Sequence, residues 1–272
     1  MKRGLSPKIP CKLVVYRTTH HQMKVMLLTI GFTVSSFVTM TNNLAARPVR
    51  ISSGPYHVHL IELFTSEGCS SCPPADRWLG ELKDDPELWK SVVPIAWHVT
   101  IWDYLGWRDP FGSRQSDSRQ QALARLWKRS SVYTPAVAID GRERKDWWAY
   151  HAGYGSARDQ QPGRLSATFD DRRLSIQFVP KDPPAASLTA TAAILAMGLT
   201  SEVARGENRG KRLPHEFVAM ETTSTTLKRT ATGWETTVEL PRFSVDFRGG
   251  RAIALWVSQN GIPLQAAGAR LD

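Results

Sequence analysis

The feature that most constrains this chain is a pair of cysteines, Cys69 and Cys72, set between an apolar run and a helical pattern. Before the pair, His57-Val58-His59-Leu60-Ile61-Glu62-Leu63-Phe64 is dominated by apolar and β-branched residues. Ser52-Ser53-Gly54-Pro55 and Thr65-Ser66 bound it, which predicts a strand. After the pair, Pro73 and Pro74 suit a first helical turn and Ser70 or Ser71 can cap it. Trp78, Leu79 and Leu82 then share one face. Residues 92–99 read as a second strand. The order is a βαβ unit with a C-x-x-C at the helix N-terminus.

That placement has a chemical consequence. Unpaired N–H groups and the helix dipole favour negative charge at a helix start, which lowers the pKa of a thiol there. The two-residue spacing lets the sulfurs bridge and separate. Cys69 is the candidate nucleophile and Cys72 the resolving thiol. Zinc usually takes four ligands, and the chain has three cysteines with no second pair. No metal and no cofactor are expected.

Further along, Trp102-Asp103-Tyr104-Leu105-Gly106-Trp107 is expected to form a satellite core, and residues 116–128 a helix. Thr134-Pro135 precedes the apolar run 136–140. A cis-proline at that point would leave neighbouring backbone free for an extended substrate. Pro135 is therefore a catalytic-site candidate and Thr134 a substrate-binding one. His98, closing the second strand, and Asp103, as proton acceptor or loop cap, are candidates for tuning the thiols. Past Gly163 the texture changes to short alternating runs separated by turn signals. The fold class expected is an α/β thioredoxin-like domain over residues 54–163, followed by a β-rich, sandwich-like domain over residues 164–272.

Charge and leader complete the reading. The net charge is +10. The first 46 residues hold Lys2, Arg3, Lys8, Lys12, Arg17 and Lys24 and no acidic residue, so removing these six basic groups leaves +4. That balance calls for no nucleic-acid partner. Lys24, the apolar stretch 25–40 and the small pair Ala45-Ala46 follow the order of an export signal, with Met23 the better start. Cleavage would remove Cys11 and leave one isolated dithiol in the periplasm or outside the cell, with only transient membrane contact. An uncleaved anchor is the alternative.

Three runs carry a family resemblance: Glu62-Leu63-Phe64-Thr65-Ser66-Glu67-Gly68-Cys69-Ser70-Ser71-Cys72-Pro73-Pro74-Ala75-Asp76, the stretch from His98 through Phe111, and Val132-Tyr133-Thr134-Pro135. With Arg205-Gly206-Glu207-Asn208-Arg209-Gly210-Lys211-Arg212-Leu213, they closely resemble an exported bacterial family catalogued as domain of unknown function 1223. The resemblance implies a thioredoxin-like fold and export, and brings no established reaction. The function expected from the residues is thiol–disulfide exchange on protein or small thiol and disulfide substrates. The rivals are copper delivery through Cys69, Cys72 and His98, and a non-catalytic binding protein on the same scaffold.

Overall fold

The computed structural model describes residues 47–150, 159–241, 247 and 249–271; the expected leader lies outside the described residues. In chain order the elements are β1 (Val49–Ser52), β2 (His59–Thr65), α1 (Pro73–Glu81), β3 (Val92–His98), α2 (Arg114–Leu126), β4 (Ala136–Ile139), β5 (Arg142–Glu143), β6 (Gly163–Asp170), β7 (Arg173–Pro180), β8 (Leu188–Ala196), β9 (Leu199–Glu202), β10 (Arg212–His215), β11 (Val218–Thr226), β12 (Lys228–Arg229), β13 (Trp234–Glu239), β14 (Arg251–Gln259) and β15 (Ile262–Arg270). Eight strands form one mixed sheet, β15-β14-β8-β11-β3-β2-β4-β5, and five form a second, β1-β6-β7-β13-β12. β9 and β10 pair as a hairpin of their own.

Strands β2 and β3 run parallel, His59 opposite Val92 through Thr65 opposite His98, with α1 as the crossover. Every residue of both strands is buried, as expected for a parallel pair covered on both faces. In β8 and β14 the pleat divides the core in two. Ala193, Leu195, Ala254 and Trp256 join the cluster of Phe64 and Trp97, whereas Ala192, Ile194, Ile253 and Leu255 pack on Ile51, Leu165, Ile176 and Phe178 of the second sheet. Helix α2 starts on Ser113, whose hydroxyl accepts from the Ser116 N–H. It carries Arg119 to the fully buried Glu62, with Nε and Nη2 each 2.7 Å from a carboxylate oxygen. This two-point pairing compensates a charge that the middle of a buried strand could not otherwise hold.

The topology overturns the expected α/β thioredoxin-like domain with a separate sandwich behind it. Among the described residues there are fifteen strands and only two α-helices. Strands from residues 54–163 and 164–272 share the eight-stranded sheet, within one compact unit, Ala45–Asp272. The reason sits at the outer edge of β3. Its backbone groups need a partner, and β11 supplies it: Ala96 lies opposite Val218, and the Ala96 N–H donates to the Phe217 carbonyl at 2.8 Å. A local pattern gives the crossover; which strand takes that edge is a long-range choice. No helix among the described residues is long and apolar enough to cross a membrane.

Candidate functional site

Cys72 is the N-cap of α1, and no side chain caps the helix, contrary to the role expected of Ser70 or Ser71. Pro73 and Pro74 occupy the first helical positions, so two of the N–H groups that would face an anion do not exist. The thiols themselves take over that task. Cys69 and Cys72 are free thiols, with sulfurs 2.6 Å apart. Cys69 is 5% exposed and Cys72 fully buried. The Cys72 S–H donates to the Cys69 sulfur, and the Ser71 hydroxyl lies 3.3 Å from it. Hydrogen bonds from Cys72 foremost, with Ser71 and Thr134 adding, outweigh burial and lower the Cys69 thiol to about 6. Burial first, then the Cys69 sulfur alongside, push the Cys72 thiol up. The two thiols are thus split: one is an anion near neutrality, the other a proton donor.

The loop bearing Cys69 is clamped from distant chain. The Asn208 amide, buried in the turn between β9 and β10, donates to the carbonyls of Glu67 at 2.8 Å and Cys69 at 2.9 Å. Lys211 holds the amide oxygen, which fixes the nitrogen toward the cysteine loop. Glu207 accepts from the Ser70 N–H at 3.0 Å. Gly206 has φ +74°, and a Cβ there would come 3.1 Å from the Cβ of Trp107. On the other side the peptide Thr134–Pro135 is cis, and the Thr134 carbonyl lies 3.8 Å from the Cys69 sulfur. Trp102 donates its indole N–H to the Thr134 hydroxyl at 2.7 Å. Gly68 lets Trp102 approach, since a Cβ at Gly68 would sit 3.0 Å from that of Trp102.

Beneath the loop lies a layer of buried carboxylates and imidazoles. Glu67 accepts from Trp107 Nε1 at 2.8 Å, from the Ser201 hydroxyl, and from His215 Nε2 at 2.9 Å. Burial raises its pKa, but the bonds from His215, Ser201 and Trp107 prevail and hold it low. Asp109 Oδ2 accepts from His98 Nδ1 and from the Glu67 N–H, both at 2.8 Å. Burial opposes charge on His98 too, yet Asp109 prevails and raises its pKa. Asp76, one helical turn from Cys72, accepts from the Thr65 hydroxyl at 2.8 Å and is pushed up by burial.

Of the residues singled out from sequence, Cys69, Cys72, Thr134 and Pro135 meet in one place. His98 turns its Nδ1 to Asp109, and Asp103 is a loop cap that accepts from the Asp109 N–H at 3.2 Å. The aromatics of residues 102–107 are not a satellite core: Tyr104 is exposed, while Trp102 and Trp107 brace the cysteine loop. Sequence reasoning missed Glu67, Asp76, Asp109, Asn208 and His215. Only Asp76 carried a local signal, its helical spacing from Cys72. Two groups of ligating side chains among the described residues have donor atoms within 4.8 Å of one another, and neither includes a cysteine.

The fold and site define a β-dominated protein with a buried, asymmetric dithiol. The chain belongs to the family described as protein of unknown function (DUF1223), whose model matches residues 60–258. That description attaches no thioredoxin identity and no reaction to its members. Among solved structures, the chain is similar to protein AGR_C_4864 from Agrobacterium tumefaciens, at 26% identity over 79% of this chain and 94% of that one, with a TM-score of 0.56. It also shares its fold with HBP35 of Porphyromonas gingivalis, at 15% identity over 80% of this chain and 76% of that one, with a TM-score of 0.55. A search of curated proteins returns no match.

Proposed function

We propose that this chain is a thiol–disulfide oxidoreductase acting through Cys69 and Cys72. The observation that carries this reading is the split between the thiols: Cys69, with a sliver of exposure, has its thiolate favoured, while Cys72 is fully buried and holds its proton. The Cys69 thiolate attacks one sulfur of a substrate disulfide, the substrate S–S bond breaks, and one half leaves as a thiolate. Cys72 gives its proton to that leaving group and attacks the Cys69 sulfur. The second half is released, the Cys69–Cys72 bond has formed, and two electrons have passed to the substrate; the reverse sequence donates a disulfide. The cis peptide at Pro135 borders a depression of about 320 Å³, rimmed by Arg129, Arg144 and Lys145.

The same reading places the working protein outside the cytoplasm. It rests on the basic and apolar order of the first 46 residues and on the single cysteine pair left beyond them. The test is exchange with a small aromatic disulfide, comparing wild type with Cys69→Ser. A loss of at least a hundredfold is expected, and equal rates would remove the proposal.

A further inference from the structure

The layer under the cysteine loop holds two imidazoles in a particular state. His98 gives its Nδ1–H to Asp109 and His215 gives its Nε2–H to Glu67, each at hydrogen-bond distance. Each ring therefore turns its other nitrogen inward, and His98 Nε2 and His215 Nδ1 are buried without a hydrogen-bond partner. Both side chains are nine-tenths buried or more. A buried polar atom with no partner is unfavourable, and here two occur side by side, in rings whose centroids lie 4.8 Å apart. Donor atoms of Asp76, His98 and His215 all fall within 4.8 Å of one another. Imidazoles whose outer N–H is held by a carboxylate are the usual supported ligands of a metal ion. Thr65 steadies the third donor, Asp76, through its Oδ2.

We propose that Asp76, His98 and His215 form a binding site for a divalent cation of the zinc class, separate from the two thiols. Two imidazoles and one carboxylate are a donor set of borderline softness that suits zinc. Donors around one such ion at ~2.1 Å stand about 3.4 Å apart. Closing from the observed spacing takes side-chain movements of about an ångström. Three protein donors leave a fourth position for water or an incoming ligand. The other histidine–carboxylate group, His57, His59 and Asp140, is built differently. There His57 Nε2 and His59 Nδ1 already face the Asp140 carboxylate, at 3.1 and 2.6 Å.

The proposal stands apart from the exchange reaction, and its test keeps the two separate. Reduced, metal-free protein is titrated with Zn²⁺ against a chromogenic chelator, and with Co²⁺ followed by visible absorption. One equivalent of Zn²⁺ is expected to bind. The Co²⁺ form should show d–d bands without the sulfur-to-cobalt charge-transfer band of a thiolate site. The double variant Cys69→Ser/Cys72→Ser should retain the site. The double variant His98→Asn/His215→Gln keeps side-chain donors toward Asp109 and Glu67 but removes both ligating nitrogens, and should lose at least a hundredfold in affinity. Failure of the wild type to hold one equivalent overturns the proposal. So does loss of binding in the cysteine variant, or its survival in the histidine variant. Should the histidine variant not fold, the wild-type Co²⁺ spectrum decides, and a dominant charge-transfer band refutes the ligand set.

Discussion

The low pKa of Cys69 has an unusual source, and one substitution at Cys72 separates it from the ordinary one. In a C-x-x-C at a helix start the anion is commonly stabilised by backbone N–H groups of the first turn. Here prolines fill the first two positions, and the leading contribution is the hydrogen bond from Cys72. Lowering the thiol from 9.0 to about 6 raises the thiolate fraction at pH 7 from ~1% to ~90% by simple titration. A thiolate of lower basicity is also a weaker nucleophile. With a Brønsted slope of about 0.4–0.5, three units cost roughly 20–30-fold per thiolate, so the net gain in rate at pH 7 is only a few-fold. Rate alone is thus a poor reporter, and the position of the inflection is the informative quantity.

Iodoacetamide labelling of the reduced protein, followed by mass across pH 4 to 10, reads that position. Wild type should label at Cys69 with its midpoint near pH 6 and a plateau by pH 8. Cys72→Ser keeps an O–H donor and should stay within about one unit of that value. Cys72→Ala removes the donor and should move the midpoint up by more than one unit. If Cys72→Ala still titrates near pH 6, the helix terminus and not Cys72 sets the thiol. If wild type titrates near 9, the site has no activated thiolate at all.

Three further perturbations probe the frame that holds the site. Arg119→Ala strands the buried Glu62 carboxylate and should cost roughly 3–5 kcal/mol, read by denaturant unfolding; a loss under about 1 kcal/mol would mean that Glu62 is not charged in the fold. Asn208→Ala frees two carbonyls of the cysteine loop and should cost about 1–3 kcal/mol while changing the Cys69 labelling rate. Unchanged labelling would show that the clamp does not position the thiol. Asp140 is bonded by His57, His59 and the Leu60 N–H. Burial alone raises its pKa, but the two imidazoles prevail and hold it well below the usual carboxylate range. Its contribution is therefore present above the unfolded carboxyl pKa and lost as pH falls through the folded one. The stability gap between wild type and Asp140→Asn should be full at pH 7 and narrow below about pH 5, whereas a gap independent of pH would contradict the assignment.

How much of this was legible in the sequence depends on distance along the chain. Strand, cysteine pair and helix follow one another within residues 57–82, so composition and spacing reveal them. The hairpin of β6 and β7 is equally local, with Asp171 at φ +54° in its turn. Of the strands that escaped the pattern, two show the physical reason plainly. β15 is rich in small residues because a larger one would not fit: a Cβ at Gly268 would overlap the Trp89 ring. β10 carries Pro214, which argues against a central strand, and it pairs only with β9 in a two-stranded sheet.

The site's deeper layer was illegible because its partners meet across the fold. His215 reaches Glu67 across 148 positions, and Asn208 reaches Cys69 across 139. No window of sequence contains both ends of such a bond. The run from Arg205 to Gly210 reads alone as a charged turn, and a turn is what forms between β9 and β10. What gives it a role is that the shared sheet folds the second half of the chain back over the first. The same long-range topology that removes the expected two-part fold brings His215 to His98 and Asn208 to the cysteine loop. A dithiol motif read locally therefore specifies which atoms react. The charges beneath it, and any cation they hold, belong to the whole chain.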